Sequence, residues 1–147
     1  MNLENLVTDD KEELLRFFKV TKNSLIRNRI ALIFSDVNFS EAVPFIFEKI
    51  DDKSNNDKGT LVFALRNLIS PEYFLLLIEI ICKYEYEARL MAFGIIEDLV
   101  RSIPLEIKKK ALEILEFNRI ELEKTAIDKG EDSTLHFVEN CIKLLEY

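Results

Sequence analysis

Few residues in the chain have the types and spacing that could support catalysis or metal binding. It contains one histidine, His136, and two cysteines, Cys82 and Cys141. Neither cysteine has a second cysteine or a histidine at the spacing of a zinc site, and no motif places a nucleophile for His136 to activate. The three glycines are isolated, so the sequence has no glycine-rich phosphate loop. We therefore predict a protein that is not an enzyme and that needs no cofactor or metal.

Composition favours a folded and acidic protein. The 147 residues are 48% apolar, and 27 Asp and Glu against 20 Lys and Arg give a net charge of -7. This apolar fraction excludes intrinsic disorder, and the acidity argues against a nonspecific nucleic-acid binder. No apolar run approaches the roughly 20 residues that a membrane-spanning helix needs. Since the N-terminus does not resemble a secretory signal, we expect a cytoplasmic protein with reduced thiols, and neither nucleic acid nor a membrane as partner.

Apolar residues recur at helical rather than alternating spacing along the chain, which predicts an all-α protein. Phe17 and Ile26 belong to these apolar stripes. The core between repeat units is expected to contain Ile46, Leu77, Ile81 and Ile96. The polar stretch 51–58 predicts a loop. Gly130 is expected to end one helix, and Gly94, inside another, is expected to permit close helix packing.

A repeat organises these helices. Arg27, Lys58 and Arg89 are spaced thirty-one positions apart. A fixed period of two short helices predicts an α-solenoid, here of about four helix pairs with an extra N-terminal helix. We assign a single domain over 1–147, with repeat units at about 22–52, 53–84 and 85–117 and less regular helices over 118–147. The positions that agree in register are Ile30, Leu61 and Ala92; Phe34, Leu65 and Ile96; and Asp36, Asn67 and Asp98.

The residues in this register also carry a family resemblance. The segments 27–32 (RNRIAL), 41–46 (EAVPFI) and 87–92 (EARLMA) resemble the bacterial short HEAT repeat. In that family a Val-Arg pair opens the first helix of each pair, and an Ala-Val-Pro stretch opens the second. The resemblance implies a HEAT-like solenoid whose second helices line a concave face. Most HEAT-like proteins are protein-binding scaffolds, although the fold alone does not determine the function.

Acidic residues repeat along the expected second helices. Glu41 aligns with Glu72 and Glu48 with Glu79 at the same period, and Phe45 and Leu76 lie between them. Together with the resemblance, this spacing predicts two carboxylate rows and an apolar strip on the concave face, a surface complementary to a basic protein. Tyr84, at the turn that follows, is a further candidate contact residue, with burial against the next unit as the alternative. The alternative is that these residues form an ordinary solvated helix face in an acidic protein.

The function hypotheses fall into different classes. Small size, acidity and the HEAT-like pattern resemble bacterial immunity proteins, which capture a basic toxin such as a nuclease. A general HEAT-like scaffold for another protein partner is the alternative. A HEAT-like DNA glycosylase would need a basic, aromatic groove, which the acidity and the absence of Trp disfavour. A chromophore-lyase relative would need a cluster of reactive Cys or His residues, and the sequence has none at a suitable spacing. The sequence leaves the oligomeric state open. We interpret Asp36, Asn67 and Asp98 as short acceptors that hold turn amides where each first helix ends; the alternative is a row of ligand-binding residues along the groove.

Overall fold

The computed structural model describes residues 8–55, 57–125 and 127–146. All regular structure in these ranges is helical, which confirms the all-α prediction. The α-helices are α1 (Thr8–Val20), α2 (Ser24–Asp36), α3 (Val43–Asp51), α4 (Gly59–Ala64), α5 (Phe74–Lys83), α6 (Tyr86–Leu99), α7 (Leu105–Thr125) and α8 (Thr134–Leu145). Short 3-10 segments lie at Ser40–Ala42, Leu65–Asn67, Pro71–Tyr73 and Val100–Ser102.

The chain divides into two compact units. The first ends at Ile69 and the second begins at Ser70. Helices α1 to α4 belong to the first unit and α5 to α8 to the second. The division therefore falls within the stretch 53–84, which the sequence analysis assigns to one repeat unit.

In the first unit, local residues determine where α2 begins and ends. The side chain of Asn23 caps its N-terminus by accepting a hydrogen bond from the backbone N–H of Ile26 at 3.1 Å. After its last residue, Asn38 takes a left-handed conformation (φ 56°), which asparagine tolerates better than most residues. The backbone N–H of Phe39 then donates to the carbonyl of Phe34 at 2.9 Å. This turn directs the chain into α3.

An aromatic cluster fills the centre of the first unit. The ring of Phe34 on α2 lies 5.8 Å from Phe18 of α1 and 5.2 Å from Phe39. Helix α2 also packs on α4, and α3 packs on α4. Such tilted and edge-to-face ring pairs add to the hydrophobic stabilisation that burial supplies.

The second unit is built around α5, which packs on α6, α7 and α8. Helix α7 runs without interruption for 21 residues. It ends at Thr125, so the expectation that Gly130 ends this helix is wrong. The hydroxyl of Ser133 accepts a hydrogen bond from the backbone N–H of His136 at 3.1 Å, which confirms that the last helix begins there.

The repeat register predicts the buried positions well. Ile46, Leu77, Ile81 and Ile96 are all fully buried. Membership of an apolar stripe does not by itself mean burial, since Phe17 and Ile26 are 49% and 40% exposed. Each is adjacent to a buried residue, Phe18 or Arg27. Because neighbouring positions on a helix point about 100° apart, only one of each pair faces the interior.

The interpretation of Gly94 is also wrong. A Cβ atom added there would have no neighbouring atom within 4 Å in the described part of the protein. The glycine is therefore not required for close helix packing.

No α-helix in the described ranges combines the length and the apolar character needed to cross a membrane.

Candidate functional site

In the first unit, the candidate residues lie on the outward side of α3. Glu41 is exposed in the 3-10 turn that leads into α3, and Glu48 is exposed about two turns later. Phe45 lies between them and is half-buried. Ile46 and Ile50, which face inward, are buried. Helix α3 therefore has an apolar inward side and an acidic outward side, as the spacing predicts.

A cation from α1 lies on this acidic side. The Nζ atom of Lys19 is 3.8 Å from the centroid of the Phe45 ring, a cation–π contact. Lys49 donates a hydrogen bond to the backbone carbonyl of Lys19 at 2.8 Å. The repeat register does not reveal this contact, because α1 lies outside it. The expected apolar strip is thus covered at Phe45 by an ammonium group.

In the second unit, the candidate residues lie on the outward side of α5 and of the turn before it. Glu72 is exposed and accepts a hydrogen bond from the Ser70 hydroxyl at 3.0 Å. Leu76 is 40% exposed. Glu79 pairs with Lys83 one turn later at 3.6 Å, and the side chains are 44% and 60% exposed, respectively. Such an exposed pair adds little stability, so the Glu79 carboxylate remains accessible to a partner.

The main chain of Tyr84 has a structural role. It follows α5 directly, and its carbonyl oxygen accepts a hydrogen bond from Nη1 of Arg89 at 2.7 Å. The residue as a whole is half-buried. That Tyr84 contacts a partner stays a prediction, and such a contact would involve the exposed part of its side chain.

The basic residues of the repeat register are all buried. Arg27 and Lys58 are 6% exposed and Arg89 is 8% exposed. The spacing revealed these residues, but it did not predict that their charges would be internal. A buried cation is unfavourable unless oxygen atoms surround it, so their partners decide what they do.

Lys58 and Arg89 each bind the end of a preceding helix. The Nζ atom of Lys58 donates to the carbonyls of Ile50 and Asp52 at the end of α3. The bond from Arg89 to Tyr84 does the same at the end of α5, and Nη2 of Arg89 also donates to the carbonyl of Asp132 at 2.6 Å. The last carbonyls of a helix have no partner within the helix, and its dipole favours a cation there. Both residues therefore stabilise the fold.

The polar series at the ends of the first helices has a different role from the one expected. Asp36, Asn67 and Asp98 are exposed. In the first unit, the turn amides of Val37 and Leu68 donate to backbone carbonyls, so the interpretation that side chains hold these amides is wrong there. Asn67 instead donates to the hydroxyl of Ser35 at 3.2 Å. This bond links the end of α2 to the 3-10 segment after α4.

The cysteines are in environments that suppress thiol chemistry. Both are free; Cys141 is buried and Cys82 half-buried. Burial raises the pKa of Cys82 to about 11 and that of Cys141 to about 12. Thiolate is the reactive form, so both are poor nucleophiles at neutral pH. Among the residues that the structure describes, no three His, Cys, Asp or Glu side chains are grouped so that they could hold a metal ion.

The fold and the exposed side chains describe an all-α protein with outward-facing carboxylates on both of its helical units. Comparisons with protein-family models, with curated proteins and with solved structures find no match to this chain. The HEAT-repeat resemblance therefore stays a prediction that rests on the residues of the register.

Proposed function

We propose that the chain is a non-enzymatic, cytoplasmic protein-binding module built as an α-solenoid of HEAT-like helix pairs. Packing within each unit supports this architecture. In the first unit α2 packs on α4, and these are first helices of neighbouring pairs in the repeat register. In the second unit α5 packs on α7, and these are second helices of neighbouring pairs. Solenoids stack like helices on like helices in this way.

The observation that carries the proposed function is the division of α3 and α5 into buried and acidic sides. In each unit, two glutamates seven positions apart face outward: Glu41 and Glu48 in the first, Glu72 and Glu79 in the second. Glu41 and Glu72 lie in the 3-10 turns that lead into α3 and α5. Seven positions along such a turn and helix correspond to about 10–12 Å. This separation is slightly more than the Debye length of about 8 Å at physiological salt, so a cation that approaches between the two carboxylates is still attracted by both.

We propose a basic protein as the partner. Carboxylates presented in this way attract cationic side chains, speed association and oppose nucleic acid, whose phosphates they repel. The candidate contact residues are Glu41, Phe45, Glu48, Glu72, Leu76, Glu79 and Tyr84. Capture and neutralisation of a basic toxin, as an immunity protein would do, is the specific form of the proposal.

Charge reversal tests each unit separately. One variant carries Glu41→Lys and Glu48→Lys, and a second carries Glu72→Lys and Glu79→Lys. A matched control carries Glu113→Lys and Glu121→Lys, two exposed positions on α7, and has the same change in net charge. Each form is immobilised, and the proteins that it retains from a lysate of the source cells are identified. The rate at which each retained protein associates with each form is then measured at several salt concentrations.

We expect the original chain and the α7 control to retain a basic protein. At least one of the two glutamate variants should fail to retain it. Its association with that variant should be slower and less dependent on salt, because surface charges act mainly on the encounter rate. Equal loss in the α7 control would show that only net charge matters. Retention of the same proteins by all four forms, or of nucleic acid alone, would contradict the proposal.

A further inference from the structure

A polar pocket in the first unit contains a buried arginine, part of whose guanidinium has no hydrogen-bond partner among the described residues. The pocket has a volume of about 600 Å³ and lies where α1 ends, α2 begins and the loop after α3 passes. Its lining includes Arg27 together with Lys22, Lys49, Asp52 and Asp57. Arg27 is more than nine-tenths buried. Within the described residues, its Nε and Nη2 atoms are shielded from solvent and have no hydrogen-bond partner.

The repeat register indicates what these N–H groups lack. At the equivalent positions, Lys58 and Arg89 each donate to two backbone oxygens, one or both of them at the end of the preceding second helix. Only α1 precedes Arg27 in the described chain, and α1 is not the second helix of a repeat pair. Buried donors without an acceptor are rare in proteins and call for an explanation such as a bound ligand. Because they have already lost their water, an acceptor would require no further desolvation of these groups.

The nearby carboxylates are engaged elsewhere. Asp52 accepts hydrogen bonds from the backbone N–H and the hydroxyl of Ser54 at 2.9 and 2.7 Å, and these bonds are the main cause of its lowered pKa. Asp57 accepts from the side-chain amide of Asn28 at 3.1 Å. Neither carboxylate forms the paired contact that would satisfy the guanidinium of Arg27. Three cations and two carboxylates line the pocket, so one positive charge is in excess within an acidic protein.

We propose that this pocket binds a carboxylate group through Arg27, with Lys49 at its rim. A carboxylate offers two coplanar oxygens that match the fork of a guanidinium, and so replaces the pair of backbone oxygens found at Lys58 and Arg89. Its single negative charge balances the excess charge of the pocket. A phosphate dianion fits less well, since Asp52 and Asp57 repel the second charge. The carboxylate belongs either to a small acid or to the C-terminus of a peptide chain.

Nuclear magnetic resonance of the ¹⁵N-labelled full chain tests the site directly. The probes are sodium acetate, a short acetylated alanine peptide with a free C-terminus, the same peptide with a C-terminal amide, and inorganic phosphate, all at constant ionic strength. We expect acetate and the free-acid peptide to shift the Nε–H signal of Arg27 and the amide of Ser24 saturably. The peptide amide should leave both signals unchanged. A lower dissociation constant for the peptide than for acetate would assign a chain terminus as the source, and the reverse a small acid.

Three variants complete the test. Arg27→Gln should weaken acetate binding at least about tenfold, since a charge-assisted pair is lost. Arg29→Gln, an exposed position two residues away on α2, is the matched control and should bind normally. If Arg27→Gln does not fold, Lys49→Gln decides: weaker binding supports the site, and unchanged binding overturns it. Three further results would overturn the site: signal shifts that never saturate, shifts that persist in Arg27→Gln, and shifts that phosphate produces at a lower concentration than acetate.

Discussion

At the scale of single residues, burial separates charged side chains that stabilise the fold from those available to a partner. Lys58 and Arg89 are chemically suited to bind a ligand, but backbone carbonyls at helix ends already occupy their donors. Arg27 holds the same register position, but within the described residues its Nε and Nη2 atoms have no acceptor. Glu48 remains exposed on the surface. Equivalent positions in a repeat therefore differ in function according to what lies next to each of them.

The thiols of Cys82 and Cys141 should make the free energy of unfolding fall as the pH rises into the alkaline range. Folding raises the pKa of Cys82 and Cys141 from 9.0 to about 11 and about 12, so the folded chain keeps two protons that the unfolded chain loses above pH 9. The stability that these protonated thiols contribute is fully present below pH 9. It is lost as the pH rises from 9 through the folded pKa values of about 11 and about 12. Each thiol should lower the free energy of unfolding by about 1.4 kcal/mol per pH unit in that window. Urea denaturation between pH 8 and pH 10.5 measures the slope.

The double variant Cys82→Ala, Cys141→Ala is the control for this measurement. Lysine and tyrosine titration also affects stability at high pH, but it is common to both proteins. The variant should lose less stability over the same range. Parallel slopes for the two proteins would contradict the pKa shifts.

At the scale of helices, short-range signals explain where several of them begin. Asn23 and Ser133 each accept a hydrogen bond from a backbone N–H in the first turn of the helix that follows. These caps satisfy donors that have no partner within the helix. Helix α7 shows the limit of such signals, since it ends at Thr125 without a glycine. Gly130 instead lies in the loop, where its N–H donates to the carboxylate of Asp128.

Replacing Gly94 with alanine should stabilise the protein. The position is inside α6, and a Cβ atom there meets nothing within 4 Å in the described chain. Alanine reduces the freedom of the unfolded chain and favours the helix, so the free energy of unfolding should rise by about 0.5–1 kcal/mol. Thermal and urea denaturation measure the gain.

Gly130→Ala is the contrasting variant. Its added Cβ atom would lie 3.3 Å from Oδ1 of Asp128, a close contact in a loop. It should give no gain, because helix propensity does not apply there and the side chain of Asp128 would have to shift. A loss of stability in Gly94→Ala would mean that close packing around α6 does require glycine.

At the scale of the whole molecule, the distribution of charge matters more than its sum. The net charge is -7, but Arg27, Lys58 and Arg89 are internal. The exposed side chains therefore have a larger acidic excess than the composition alone indicates. This excess strengthens the proposal of a basic partner, since only exposed groups contact it.

Truncation of a core residue should damage one compact unit before the other. Leu77 on α5 is fully buried, so Leu77→Ala should lower the free energy of unfolding by about 2–5 kcal/mol. Because α5 packs on α6, α7 and α8, amide hydrogen exchange should increase first in α5 to α8. Urea denaturation and exchange measured by mass spectrometry test both expectations.

The adjacent residue provides the control. Leu76 is 40% exposed, and Leu76→Ala should change stability much less, by roughly 0.5 kcal/mol. Similar losses for the two variants would show that the register of the second helices is wrong. A uniform rise in exchange across α1 to α8 after Leu77→Ala would contradict the local response.

The sequence by itself determined the helical class and most of the core. Helical periodicity and capping are local properties, because positions three and four apart share a face whatever the rest of the chain does. The spacing of Leu77 and Ile81 was therefore sufficient to predict their burial. The outward position of Glu48 followed from the same period.

Only the tertiary structure decided which residues meet across helices. Adjacent residues such as Phe17 and Phe18 compete for one buried position, and the neighbouring helix determines which of them occupies it. Lys19 covers Phe45 because α1 packs beside the repeat, a contact between segments that no spacing encodes. The roles of Arg27 and Arg89 differ for the same reason. The role of a buried cation depends on the oxygen atoms around it. Arg89 has one acceptor close in sequence, at Tyr84, but the other, the carbonyl of Asp132, lies 43 residues away and reaches it only in the folded chain.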